Sequence, residues 1–359
     1  GLDLSGTGIT VGVWDGGKVR DTHQEFGSRV SFGDGATDFS DHGTHVAGTI
    51  GATGVNADAQ GMANQVQIRS YDYFNDYAEM GPDVPLIDLS NHSYGQKPGW
   101  NIIQQNDGTY YDVWFADRSQ YQVEDPYFGK YDTGTDVGQG ARELDQLLYD
   151  NPNYLSIWSA GNERGGKFLN AHQDNTYITY LSQDVSEPGW YIVPTNELPP
   201  PPGDGNGGTG YDTLAGNKTA KNSLVVGAID DITADPYSQA DIQMSSFSSW
   251  GPTDDGRIKP DVVGNGVGVF SPVATSDTSY ESYDGTSMAA PNVTGTTALL
   301  YEHWNNLFGG KPRSATMKGL LTHTAFDAGN VGPDYIYGWG VVDGAAAANF
   351  LSDASSSDP

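Results

Sequence analysis

Short apolar runs alternate with longer stretches of helical period along most of this chain. Ile9–Trp14, Val66–Tyr73, Ile87–Ser93, Tyr154–Ser159 and Leu224–Ile229 are brief and rich in β-branched or aromatic residues, which predicts strands. Asp41–Ile50, Gly140–Tyr149, Ser287–Trp304, Ser314–Thr324 and Asp343–Phe350 predict helices between or after them. Strand then helix, repeated, implies an α/β fold of three layers, with a mainly parallel central sheet flanked by helices. Two stretches break the pattern. Gln96–Thr135 is crowded with Tyr, Trp, Asp and Gly, and Glu163–Gly216 holds the run Pro199 to Pro202 followed by a Gly-Asp-Gly-Asn-Gly-Gly segment. Both read as large surface insertions, about 96–135 and 163–216. Residues 351–359 have linker composition, which leaves 1–350 as the predicted folded unit.

Composition narrows the function. The chain has 359 residues, enough for one large core, and no cysteine, so no disulfide framework supports it. Lys plus Arg number 17 against 46 Asp plus Glu, a formal charge of −29. Nucleic-acid partners are excluded, because a phosphate-binding face needs clustered cations. Anionic membranes repel such a chain, and no apolar run approaches the length that spans a bilayer. A start at Gly1, with no charged and apolar leader, reads as a mature or trimmed product.

In an open parallel sheet, reactive groups gather beyond the carboxyl ends of the strands. Four segments there carry chemistry. The first strand ends in Asp15-Gly16-Gly17; Asp41-His42-Gly43-Thr44-His45 puts an imidazole at a helix start; Ser159-Ala160-Gly161-Asn162 projects a neutral amide; and Asp284-Gly285-Thr286-Ser287 opens a helix with a hydroxyl. Pro291 fixes that helix start at or just before Ser287, because proline is tolerated only near a helix beginning. Backbone N–H groups at this positive end point at any oxyanion formed on an attacked carbonyl. A serine needs an adjacent base, which His42 supplies, and the imidazole needs an orienting carboxylate, which Asp15 supplies. Asn162 adds a second oxyanion donor.

The order Asp15, His42, Ser287, with HGTHVAG at His42–Gly48, AGN at Ala160–Asn162 and GTSMAAP at Gly285–Pro291, resembles the subtilisin-like (subtilase) serine peptidases. The resemblance runs from the strand ending in Asp15 to Gly338-Trp339-Gly340-Val341-Val342-Asp343. Phe247–Pro252 and Asp255–Asp261 are further similar to the KP-43-type, oxidatively stable branch. The resemblance implies Ser287 as nucleophile, His42 as base then acid, Asp15 as orienter and Asn162 as oxyanion donor. It also implies that Ser93-Tyr94-Gly95 forms a substrate-pairing edge and Ser159-Ala160-Gly161 the opposite wall of the pocket for the residue before the scissile bond. Such edges hold any peptide by its main chain, so broad cleavage is expected. Tyr94 suggests a pocket for large apolar groups, whose floor falls in the insertion after Asn162.

The resemblance further implies a secreted, monomeric endopeptidase acting on polypeptides, inhibited before maturation by its own propeptide, with no cofactor for catalysis and one or more structural calcium ions. Asp34 with Asp38, Asp230 and Asp231 with Asp235, and Asp254 with Asp255 are the carboxylate groups considered for calcium. His42 and His45 lie three apart on one helix face, but lack a third ligand and read as a base beside a packed structural histidine. Two departures from the family pattern stand out. Gly16 follows Asp15 where Ser or Thr is usual, so one bond to the carboxylate is expected to be missing, and Asp41 before His42 favours imidazolium, which moves the pH optimum upward. The rival readings are a ligase or macrocyclase, in which an amine intercepts the acyl-enzyme, and a silent peptide-binding module, against which the complete set of catalytic residues argues.

Overall fold

The computed structural model describes residues 2–95, 99–104, 110–115, 129–131, 140–164, 176–182, 189–194 and 211–357. Most of the two predicted insertions lies outside them. In chain order the strands are β1 (Thr10–Asp15), β2 (Val30–Phe32), β3 (Gln67–Asp72), β4 (Leu89–His92), β5 (Gly99–Gln104), β6 (Tyr110–Phe115), β7 (Leu155–Ser159), β8 (Thr176–Ser182), β9 (Gly189–Pro194), β10 (Leu224–Ile229), β11 (Val262–Asn265), β12 (Val269–Pro272) and β13 (Tyr280–Tyr283). The helices are α1 (Asp41–Gly51), α2 (Asp76–Asp83), α3 (Ala141–Asp150), α4 (Thr286–Phe308), α5 (Ser314–His323) and α6 (Gly344–Ser357).

Seven strands form the central sheet in the order β11-β10-β7-β4-β1-β3-β2, and every neighbouring pair in it is parallel. Such a sheet must be covered on both faces, and the side-chain alternation shows how. Val11 and Val13 of β1, Leu155 and Ile157 of β7, and Leu224 and Val226 of β10 enter one core with Val46 and Ile50 of α1 and Val293 of α4. Trp14, Trp158 and Val225, one residue out of step, enter the opposite core with Met80 of α2 and Leu144 and Leu148 of α3. The predicted three-layer α/β architecture is therefore present, with all five predicted strands and all five predicted helices in place to within a few residues.

Two differences from expectation are informative. The last helix runs on through residues of linker composition to Ser357. Leu351 explains the extension: it is buried against the α4 side of the core, so an apolar anchor carries the helix past its polar end. The second difference is that the two insertions are joined. Strands β5, β6, β8 and β9 form one four-stranded sheet, in which β6 from the first insertion pairs in parallel with β8 from the second.

The strand order places β4 and β3 on opposite sides of β1, so the chain changes winding direction there. The carboxyl ends of β1, β4 and β7 are where a crevice is expected.

Candidate active site

Asp15 is the last residue of β1 and is 2% exposed. Its Oδ2 lies 2.8 Å and its Oδ1 2.9 Å from Nδ1 of His42, so the carboxylate holds that ring nitrogen as a donor. Oδ1 also accepts from the Gly16 backbone N–H at 2.7 Å and from the Ser40 hydroxyl at 3.2 Å. The bond expected to be missing behind Gly16 is thus supplied by Ser40. Ser40 is also the N-cap of α1, where its hydroxyl accepts from Gly43 N–H at 2.8 Å. One side chain starts the helix and steadies the carboxylate facing that helix's imidazole. Asp41 lies on the outer side of the same turn, where its carboxylate accepts from Thr275 at 3.2 Å.

His45, one turn further along α1, is fully buried. Its Nε2 donates to the carbonyls of Val269 and Glu281, at 2.9 and 3.2 Å, and its ring stacks on Tyr283. Burial pushes its pKa down to about 4, so it stays neutral. It is the packed histidine anticipated from the sequence.

Ser287 is the second residue of α4, where Pro291 removes the backbone donor that would have reached the Ser287 carbonyl. That carbonyl instead accepts from the Ser93 hydroxyl at 3.0 Å, while the Ser287 hydroxyl donates to the Ser93 carbonyl at 3.0 Å. Ser93 is held in turn by Asn91 Nδ2 at 2.9 Å, and Asn91 Oδ1 accepts from Thr294 of α4 at 3.0 Å.

Asn162 follows β7. Its Oδ1 accepts from both the backbone N–H and the hydroxyl of Thr286, at 3.0 and 2.9 Å. The amide is thereby fixed with Nδ2 turned away from Thr286, and a Cβ placed on Gly285 would lie 3.4 Å from that nitrogen. The Thr286 hydroxyl also accepts from Gly161 N–H at 3.0 Å, pinning the wall to the helix start.

Asp15, His42, Asn162 and Ser287 line a single cavity of about 920 Å³. Ser93, Tyr94, Gly95, Ser159 and Gly161 line it too, and Ala160 between the last two is fully buried. Tyr94 differs from expectation. Its hydroxyl donates to Asp76 at 2.5 Å and meets His92 Nδ1 at 2.8 Å, and its ring packs edge-on to Trp158. It is a fixed wall rather than a measure of pocket size.

The Subtilase family profile matches residues 6–340. The chain belongs to the subtilase family. It is 25% identical over 325 residues to Serine protease AprX of Bacillus subtilis (strain 168), covering 84% of this chain and 59% of that protein. It is 24% identical over 327 residues to Serine protease/ABC transporter B family protein tagB of Dictyostelium discoideum, covering 80% of this chain and 16% of that one. The chain thus spans less than two thirds of the length of either relative. In fold it is similar to the CspB protease of Clostridium perfringens, with a TM-score of 0.64, 17% identity and coverage of 98% and 96% of the two chains. No helix among the described residues is long and apolar enough to cross a membrane.

Two of the carboxylates considered for calcium, Asp34 and Asp255, have partners of their own. Among the described residues no three acidic or histidine side chains converge on a point. Asp34 accepts from the backbone N–H groups of Ala36 and Asp72, and Asp255 is paired with Arg257 at 2.9 Å.

Sequence reasoning missed several supporting residues. Ser40 lies just before a recognised motif and Thr286 and Ser249 lie within two others, but nothing in their spacing marks the contacts they make. Ser249 N–H donates to the Gly161 carbonyl at 2.8 Å, and its hydroxyl accepts from Glu163 N–H at 3.1 Å. Lys218 and Asn217, which line the cavity, lie just beyond the second insertion, where no motif leads to them.

Proposed function

We propose that this subtilase is a secreted endopeptidase of the KP-43-type branch that hydrolyses peptide bonds of polypeptides through an acyl-enzyme on Ser287. The observation that carries the reading is the Asp15 carboxylate at 2.8 Å from His42 Nδ1, in one cavity with Ser287 and Asn162. The branch reading is supported by the sequence of Phe247–Pro252 and Asp255–Asp261 alone.

The chemistry follows from placement. The Ser287 proton turns from the Ser93 carbonyl and passes to His42 Nε2 as Oγ attacks the scissile carbonyl carbon. Asp15 stabilises the resulting imidazolium. Negative charge on the former carbonyl oxygen is met by backbone N–H at the α4 N-terminus and by Asn162 Nδ2, both fixed before the reaction. His42 then gives its proton to the leaving amine, and water attacks the ester by the reverse path. The peptide main chain is read by Ser93–Gly95 on one side and Ser159–Gly161 on the other, which asks little of its side chains beyond the pocket.

The test combines labelling with product mass. A fluorophosphonate should modify Ser287 and fail on Ser287→Ala, and digestion of one long peptide should give fragments that together gain one water per cut. Products lacking that water would indicate transfer to an amine, and no labelling would return the chain to a binding role.

A further inference from the structure

The two walls of the pocket each contain a glycine in the left-handed region, Gly95 at φ +152° and Gly161 at φ +110°. Where each missing side chain would point there is a charge. A Cβ on Gly95 would collide with the Lys218 ammonium, and a Cβ on Gly161 with the Glu163 carboxylate. Lys218 sits in the single turn Gly216–Thr219 and is 3% exposed, yet it lines the cavity beside Gly95 and Asn217. Among the described residues lining that cavity it is the one lysine or arginine.

We propose that Lys218 makes this pocket select acidic side chains, glutamate or aspartate, at the residue before the scissile bond. The inference rests on the endopeptidase reading above and deepens it. A substrate carboxylate reaching the ammonium gains a charge-assisted hydrogen bond away from bulk water, where such bonds are strongest. A substrate lysine or arginine meets a like charge in the same place. Glu163 opposes this preference only partly, because it is half-exposed and one of its oxygens accepts from the Ser249 hydroxyl at 2.9 Å. The overall charge of −29 repels acidic peptides at long range. At about 0.15 M salt that repulsion is screened beyond roughly 8 Å, while the pocket contact is not.

The experiment uses the full chain at 0.15 M salt and four peptides identical except for Glu, Gln, Leu or Lys before the scissile bond, with kcat/KM measured for each. Glu should exceed Lys by about tenfold or more. Lys218→Met should lower the Glu-to-Leu ratio about tenfold and Lys218→Arg should keep it, while Glu163→Gln should raise the Glu-to-Lys ratio. Fluorophosphonate labelling of Ser287 reports for each variant whether the fold and nucleophile survive. If Lys218→Met fails to label, the parent series and Lys218→Arg decide. A parent that prefers Leu or Lys, or a labelled Lys218→Met with the parent's profile, overturns the proposal while leaving the protease intact. A parent that is neither labelled nor active overturns the endopeptidase reading instead.

Discussion

Ser93 and Ser287 exchange two hydrogen bonds, each giving its hydroxyl to the other's carbonyl at 3.0 Å. The pairing joins the segment after β4 to the start of α4, and it fills the acceptor that Pro291 leaves open. Ser93→Ala removes the donor to the partly buried Ser287 carbonyl and the acceptor of the buried Asn91 amide. The expected cost is roughly 1–3 kcal/mol of stability, read as a lower urea midpoint with unchanged slope. Ser93→Thr, which keeps the hydroxyl, should recover most of it. A midpoint for Ser93→Ala equal to that of the parent would show that the exchange carries no weight.

Thr286 holds Asn162 by two hydrogen bonds, so its effect should appear in turnover rather than binding. Asn162→Ala should lower kcat about 10²- to 10³-fold, the magnitude known for losing one such donor in subtilisin itself. Thr286→Val leaves the donor present but loosely held, and a smaller fall in kcat, about tenfold, with KM little changed, is expected. Thr286→Ser should restore the rate. If KM rises and kcat holds, Thr286 shapes the cleft instead.

Ser40 has two tasks, which a single substitution separates. Ser40→Ala should cost about 1 kcal/mol of stability through the lost cap. Losing the hydrogen bond to Asp15 should also lower kcat roughly threefold to tenfold. Ser40→Gly costs only a few tenths of a kcal/mol at a cap. It should therefore show the kinetic loss with less of the thermal one. Thermal melts and steady-state kinetics on both variants test this.

Asp76 gives a pH dependence of defined sign. Burial raises its pKa from 3.8 to about 6, against the opposing hydrogen bonds from Tyr94 and Tyr77. Between about pH 4 and pH 6 the folded chain therefore holds a proton that the unfolded chain has lost, so this group's contribution to stability falls as pH rises through that window. Asp76→Asn keeps an acceptor for Tyr94 and removes the titration. The stability of the variant relative to the parent should be greater at pH 7.5 than at pH 4.5, by roughly 1–3 kcal/mol. An equal difference at the two pH values would refute the assignment.

The sheet was legible because burial on both faces leaves runs such as Leu224–Ile229 with almost no polar residue. The candidate site was legible because Asp15, His42, Asn162 and Ser287 each fall at a strand end or helix start with small neighbours. What escaped were groups whose role is set by long-range packing. Nothing near Gly16 says that Ser40 replaces the absent hydroxyl, and nothing near Asn217-Lys218 says that a lysine reaches the wall formed by Gly95. Tyr94 was misread for the same reason, since its partners His92, Asp76 and Trp158 come from three different elements. The helical end of α6 depends on one residue, Leu351, whose burial no local composition reveals.

Asp15 enters with the first strand and Ser287 with the helix that follows the last one, so all thirteen described strands lie between or around them in sequence before the two share a cavity. A partly denatured copy therefore carries Asp15, His42 and Ser287 without the cavity that joins them, and that cavity is complete only when α4 docks against the sheet.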